Sequence, residues 1–373
     1  MKFVVKKEDL YNGIKIVDRA TSQKAVQPVL YNILIEAIDA NTVKLTATDL
    51  VLTITTMIDA QVEQVGKITL PAKKLNEIVS KLNNDLVTIE MDEDSTAVNI
   101  SCKKSKFDIL GIDADQFPPE ILNYEIDEAQ CINLELKPFL KAIRQAGFAA
   151  ANYEVSNLLS GIVCDFSNEV LEIASTDGNR LARVREQVSS NVVEQTQLII
   201  PSRTLNEFVK MGSFIDDETV LICKDKSTII LKTEKTTTVS RLLDGQFPKY
   251  NQLIPSESPK HAVVNVSQLI GALERVSVMV NDKTSIIRMH FADNELTLSA
   301  DTPEAGKSED KLDIQYTDEE LLIAFNYKFV LEALKMMECD EVVIGLNASL
   351  SATVLKPNSD EDFICLIMPV QVR

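Results

Sequence analysis

Hydrolytic and redox chemistry near neutral pH draws on histidine, an activated cysteine, a metal cluster or a phosphate-binding loop, and this chain offers few of them. Its two histidines stand apart: His261 follows a Pro-rich linker, His290 sits in the strand-like run Ile286-Ile287-Arg288-Met289-His290-Phe291, and neither has Cys or His at ligand spacing. Six cysteines (Cys102, Cys131, Cys164, Cys223, Cys339, Cys365) scatter without a Cys-x-x-Cys pair, five of them in or beside β-type apolar runs, and read as reduced core residues. Gly306-Lys307-Ser308 imitates the end of a phosphate loop, but Asp301 stands where that loop's first glycine belongs. The acidic runs Asp92-Glu93-Asp94 and Asp360-Glu361-Asp362 fall between strand-like stretches and read as solvated turns. A carboxylate-metal nuclease or phosphatase is therefore disfavoured, and no catalytic residue, metal or cofactor is expected.

What the chain does carry is self-similarity, which sets the elements that would position any site. A strand-then-helix unit recurs in Phe3-Val4-Val5 with Leu10 to Arg19, in Ile132-Asn133-Leu134 with Phe139 to Ala146, and in Val263 to Val266 with Leu269 to Val276; Leu10, Leu140 and Ile270 are spaced by 130 and 130. A strand ending in a Thr/Asp corner recurs as Leu45 to Asp49, Ile173 to Asp177 and Leu298 to Asp301. A second strand-then-helix unit leads to Leu75-Asn76-Glu77, to Leu205-Asn206-Glu207 and to Val330-Leu331-Glu332. Between them run alternating apolar segments such as 43–55 and 220–233, with the period two of half-buried strands. Each third thus holds two helices and several strands, an α+β architecture. Asp115-Gln116-Phe117-Pro118 and Asp244-Gly245-Gln246-Phe247-Pro248 close the first two thirds, so the expected domains are 1–124, 125–257 and 258–373.

The 373 residues are 45% hydrophobic and 25% charged, a globular composition, with a net charge of -18. That acidity alone argues against a nucleic-acid binder. The charge is segregated, however. Across the expected helices 7–19, 72–82, 137–146, 201–212, 266–276 and 326–337 stand fourteen basic and seven acidic residues, so these helices carry +7 and the remainder -25. Six such helices, apolar toward a sheet and basic on the opposite face, suit a common basic surface inside an acidic shell. Twelve helices of ~10 Å diameter from two chains would ring an opening of about 28 Å, enough for a duplex. No segment approaches the ~20 apolar residues of a membrane helix, and the N-terminal apolar run is too short for a secretory signal, so a cytoplasmic protein is expected.

The threefold repeat, Thr176-Asp177-Gly178-Asn179-Arg180-Leu181-Ala182, Asp244-Gly245-Gln246-Phe247-Pro248-Lys249-Tyr250 and the terminal Leu366-Ile367-Met368-Pro369-Val370 together resemble the bacterial DNA polymerase III beta subunits, the sliding clamps. The resemblance covers the whole chain. It implies three repeated DNA-clamp domains, a head-to-tail homodimeric ring, no catalytic activity, and retention on double-stranded DNA without regard to sequence. It further implies a pocket between the second and third domains for short peptides of the polymerase III alpha subunit, the clamp loader delta subunit, other polymerases and repair proteins. Peptide contacts are implied at Leu159, Thr176, Gly178, Asn179, Arg180, Leu181, Pro248, Gln252, Leu253, Phe329, Leu350, Leu366, Ile367, Met368, Pro369 and Val370. The chemistry agrees, since adaptable apolar walls beside a few orienting polar groups suit such a site. Without the resemblance the C-terminal strand reads as plain core.

For DNA the resemblance points to Lys24, Lys73, Lys81, Lys141, Arg144, Tyr153 and Lys210, and for the subunit contact to Phe107 and Ile109 against Val278 and Met279. An apolar edge strand invites such pairing. Three departures from the family pattern are Asn179, where histidine is frequent, Thr284, where an aromatic can occur, and the ending Gln371-Val372-Arg373. A repeat scaffold that binds proteins alone is the remaining alternative, and it would show no salt-sensitive association with DNA.

Overall fold

The computed structural model describes residues 1–371 apart from 23–25, 93–94, 120–123, 125, 129–130, 153–157, 168, 189–194, 281–284, 303–305 and 361. Among the described residues six α-helices form where the apolar spacing places them: α1 (Lys7–Val17), α2 (Ala72–Lys81), α3 (Leu136–Gly147), α4 (Ser202–Met211), α5 (Val266–Ser277) and α6 (Tyr327–Met336). Each continues directly from a strand with no loop between. In the third repeat the junction residue is an asparagine whose side chain caps the helix: the Asn265 carboxamide oxygen accepts from the Gln268 N–H at 3.0 Å and that of Asn326 from the Lys328 N–H at 3.1 Å. Along α3 the buried Leu136, Phe139, Ala142, Ile143 and Ala146 recur at helical spacing, leaving Lys137, Lys141 and Arg144 outside.

The chain packs as two compact units, Met1–Leu140 with Asn206–Leu242, and Lys141–Leu205 with Leu243–Arg373. Each is built on an eight-stranded antiparallel sheet assembled from two consecutive repeats. In the first unit Thr236–Arg241 pairs with Leu52–Asp59, matching Ser240 to Leu52; in the second Arg180–Gln187 pairs with Phe363–Ile367, matching Leu181 to Leu366. A five-stranded sheet ending in the edge strand Ser105–Leu110 completes the first unit, and a four-stranded sheet ending in Gly306–Asp313 completes the second. The compact units therefore cut across the repeats, because strand pairing joins one repeat to the next.

The Thr/Asp corner forms twice with the same bonding. Thr176 Oγ1 donates to the Arg180 carbonyl at 2.6 Å and accepts from the Gly178 N–H at 3.1 Å, while Asp177 Oδ1 accepts from the N–H groups of Asn179 and Arg180 at 2.9 and 3.0 Å. Thr48 and Asp49 repeat these contacts with Leu50, Val51 and Leu52. The central residue has φ of 89° at Gly178 and 76° at Leu50. The expected third corner does not form: Asp301 stays in the strand Glu295–Thr302, opposite Lys307 of the next strand, and its carboxylate pairs with the Lys307 ammonium at 3.2 Å. The phosphate-loop imitation Gly306-Lys307-Ser308 is accordingly a stretch of β-strand.

One cysteine expectation is overturned. Cys131 lies opposite Cys223 across the antiparallel pair Ile132–Glu135 and Thr219–Asp225, Cα to Cα 4.5 Å, and the two form a disulfide. A separation of 92 residues gives no local sign of it. Cys102, Cys164, Cys339 and Cys365 are free thiols.

Candidate functional site

The second unit holds all of the residues expected at the peptide site. Several of them belong to a buried apolar cluster of Leu181, Leu366, Phe247, Tyr250, Val163 and Val354 with their buried neighbours, against which Leu158, Leu243, Ile254 and Ala352 pack. Leu181 and Leu366 are cross-strand partners, so their side chains share one face of the sheet. Side-chain alternation turns the neighbouring Ile367, only 1% exposed, to the opposite face of the sheet. Met368, Leu253 and Leu350 are exposed apolar side chains, and Pro248 and Gln252 are exposed in the same segment as Leu253. Leu159, Phe329, Pro369 and Val370 are half-buried and Thr176 is buried.

Backbone bonds hold the C-terminal residues in place. The Met368 N–H donates to the Asn179 carbonyl at 2.8 Å and the Val370 N–H to the Ala324 carbonyl at 2.8 Å. The tail thus bridges the Thr/Asp corner and the strand Leu321–Asn326. At Gly178 nothing lies within 4 Å of where a Cβ would stand, so glycine answers the left-handed φ there, not crowding.

Arg180 is built into the wall. Its Nε donates to Asp177 Oδ2 at 3.0 Å, its Nη1 to Glu332, and its guanidinium lies over the rings of Phe148 and Phe329 with Cζ 5.3 and 4.6 Å from their centroids. Beside Leu350 and Val370 a cavity of about 260 Å³ is lined further by Arg288, Leu322, Ala324 and Gln371. Among the described residues no carboxylate lies at salt-bridge distance from Arg288. Phe148, Glu332 and Arg288 were not legible as site residues, because nothing local in their segments marks the approach of another repeat.

Sequence profiles of the DNA polymerase III beta subunit match three consecutive stretches: the N-terminal domain over residues 1–123, the central domain over 133–249 and the C-terminal domain over 251–371. The chain belongs to the DNA polymerase III beta subunit family. The beta sliding clamp of Synechococcus elongatus is 33% identical over 379 residues, covering 100% of both chains. Among solved structures, the DNA polymerase sliding clamp of Bacillus subtilis superposes with a TM-score of 0.89 at 28% identity, and a putative DNA polymerase III beta subunit of Eubacterium rectale with 0.88 at 31%, each covering 100% of both chains. The three repeats are clamp domains, and the function is that of a processivity clamp, a non-catalytic subunit.

The cations expected to face DNA fall into two groups. Lys73, Lys81 and Lys141 are exposed, and among the described residues none has a carboxylate at salt-bridge distance. Lys210 and Arg144 are exposed but engaged: Lys210 Nζ lies 2.7 Å from Glu207 Oε1, Glu207 also holds Arg19 at 3.2 Å, and Arg144 donates to Glu338. Lys24 and Tyr153 lie outside the described residues.

The edge residues divide in the same way. Phe107 and Val278 are exposed, Val278 to 78%, whereas Ile109 is 9% exposed and packs within its own sheet. Met279 is half-buried, and its carbonyl accepts the Thr302 hydroxyl at 2.7 Å. The histidines stay outside these surfaces: His290 Nε2 meets Glu320 Oε1 at 2.6 Å, and the His261 N–H donates to Asp318 at 2.9 Å. Asp360 accepts from the Asp362 N–H at 2.8 Å in the turn expected there.

Proposed function

We propose that this clamp receives partner peptides in the groove floored by Leu181 and Leu366, with Met368 and Leu253 closing over an inserted apolar side chain. The observation that supports the reading is a buried apolar cluster of Leu181 and Leu366 together with exposed Met368 and Leu253, Met368 being held by a backbone bond to Asn179 of the Thr/Asp corner. Adaptable thioether and leucine walls beside a rigid polar corner suit a short segment with one or two apolar anchors. The partners of that chemistry are the polymerase III alpha subunit, the clamp loader delta subunit, other polymerases and repair proteins. The domains run 1–124, 125–257 and 258–373.

Two copies close head to tail into a ring in the cytoplasm, the edge strand carrying Phe107 of one copy meeting Val278 and Met279 of the other. An unpaired apolar edge is an aggregation site, and pairing it in a closed dimer removes it. The ring encloses double-stranded DNA, which Lys73, Lys81 and Lys141 hold through phosphates without reading bases. Loading by a clamp loader onto nicked circular and onto linear DNA tests the whole reading. Retention on the circle with loss from linear ends is expected; equal loss from both forms would overturn it.

A further inference from the structure

Resting on that reading of the groove, a second question is what holds its rim. Pro248, Gln252 and Leu253 ride on the segment 244–254, which contains no strand and no α-helix. Its backbone bonds are internal: the Tyr250 N–H donates to the Pro248 carbonyl, Gln252 to Lys249 and Leu253 to Tyr250. Among the described residues, the hydrogen bonds tying this segment to the rest of its unit run only to Glu172 and Asp165.

Glu172 belongs to the strand Val170–Thr176, where it is the one charged residue and is 9% exposed. Its Oε1 accepts from the Tyr250 hydroxyl at 2.5 Å and from Asn251 Nδ2 at 3.0 Å, and its Oε2 accepts from Arg185 Nε at 2.5 Å. The same hydroxyl lies 3.1 Å from Asp165 Oδ2, while Asp165 Oδ1 takes a bond from Gln197 at 2.8 Å. Tyr250 has a single hydroxyl proton, and the shorter contact assigns it to Glu172. Burial pushes the Glu172 carboxyl up, but the donors from Tyr250, Asn251 and Arg185 outweigh it and hold the group below the usual carboxylate range. Burial and the Glu172 carboxylate raise the Tyr250 phenol, so it stays a donor.

The ring of Tyr250 carries this anchoring into the groove. It is part of the floor with Leu181 and Leu366, and it meets Phe247 edge-on, centroids 6.1 Å apart at 74°. An apolar residue at position 172 would fill the same strand site, and a buried ion pair seldom improves stability over well-packed apolar groups. What the carboxylate supplies that an apolar residue does not is two bonds of fixed direction to the segment bearing the rim.

We propose that Glu172 is a positioning residue of the peptide groove, which sets the place of Pro248, Gln252 and Leu253 through Tyr250 and Asn251 without touching the peptide. A probe peptide carrying a glutamine, a leucine and a terminal Leu-Phe pair, titrated by calorimetry into the full-length protein, tests it. Tyr250→Phe and Glu172→Ala are each expected to weaken binding about tenfold, as for loss of a hydrogen bond to a charged group. The double variant is expected to be no weaker than either single one, and Glu172→Gln, which keeps an acceptor oxygen, to stay within about twofold of the wild type. Unchanged affinity in the single variants, or losses that add in the double, would overturn the assignment. Hydrogen exchange over residues 244–254 gives a reading independent of any peptide. It is expected to speed up about tenfold in Tyr250→Phe while the strands keep their protection, and unchanged exchange would equally overturn the assignment. Should the wild type not bind the probe while the segment loosens as described, the groove reading fails and the positioning role of Glu172 stands.

Discussion

Arg180 lies over the ring of Phe329, Cζ 4.6 Å from the centroid, and the same guanidinium donates to Glu332 one turn further along α6. The stack joins the second repeat's Thr/Asp corner to the third repeat's last helix inside one compact unit. Its side chain is 11% exposed, so solvent screening is weak and the planar group matters more than its charge alone.

Arg180→Lys keeps the charge and loses the plane and the forked donors. The expected cost is about 1–2 kcal/mol of stability, read as a lower melting temperature, together with weaker binding of the probe peptide. A melting temperature equal to the wild type's would show that the stack contributes nothing.

Glu186 gives a prediction of opposite sign to the usual acidic residue. Burial raises its carboxyl, with Asp360 and Asp362 adding to the shift and Lys141 opposing it. A raised folded-state value means that the native state binds the proton more tightly than the unfolded chain. The associated stability is therefore present below the ordinary carboxylate range and is lost as pH rises through the raised value. Glu186→Gln is expected to raise the melting temperature at pH 7 and to change little at pH 4. An increase confined to pH 4 would contradict the assignment.

Much of this was legible in the chain, and the parts that were not share one cause. Helices α1 to α6 fall within one or two residues of the spans read from apolar spacing, because an amphipathic period is a local property. The two Thr/Asp corners follow from residues within four positions of each other. Strand pairing across repeats is nonlocal, so neither the fusion of two repeats into each eight-stranded sheet nor the Cys131 and Cys223 pair had a signature. Charge counts located the basic helices but not their partners, and only the folded chain shows Lys210 bound to Glu207 and Arg144 to Glu338. Ile367 shows the same limit at one residue: the terminal motif marks the strand, and only the register shows which alternate side chains share the face of Leu181.

Those charge partners divide the helix cations into two classes with different expected effects on DNA. Every phosphate that is no longer neutralised should reduce the magnitude of the salt slope by about 0.9. Replacing Lys73, Lys81 and Lys141 by glutamate is therefore expected to flatten the dependence of DNA retention on salt, because among the described residues none has a carboxylate at salt-bridge distance. Lys210→Gln should change it less, since that ammonium already meets Glu207 at 2.7 Å. Equal slopes for the triple variant and the wild type would remove these lysines from the DNA surface.

For the contact between copies, Val278 is the better target than Ile109, because it is 78% exposed while Ile109 belongs to its own sheet. Val278→Asp should fold normally and forfeit roughly 1.5–3 kcal/mol at each of two identical contacts, besides placing a charge there. Sedimentation is expected to show folded particles of half the wild-type mass. Intact dimers would move the contact elsewhere.

Deletion of Met368 to Arg373 separates the two tasks of the chain. It removes the Met368 bond to the Asn179 carbonyl and the Val370 bond to the Ala324 carbonyl, and it uncovers Leu366 and Leu181. The strand Phe363–Ile367 remains, with its pairing to Arg180–Gln187 intact, so the sheet should survive. None of Phe107, Val278 or Met279 is touched. Binding of the probe peptide, expected near 1 μM or about -8 kcal/mol for the full chain, should fall by at least tenfold, while the mass in solution stays that of the wild type. Met368→Ala alone should weaken binding by about 1–3 kcal/mol, as for truncation of an anchor side chain that the peptide buries. Calorimetry and sedimentation on the same samples decide between outcomes: affinity that survives the deletion would move the peptide site away from the C-terminal tail, and loss of the dimer would show that the tail supports the contact between copies.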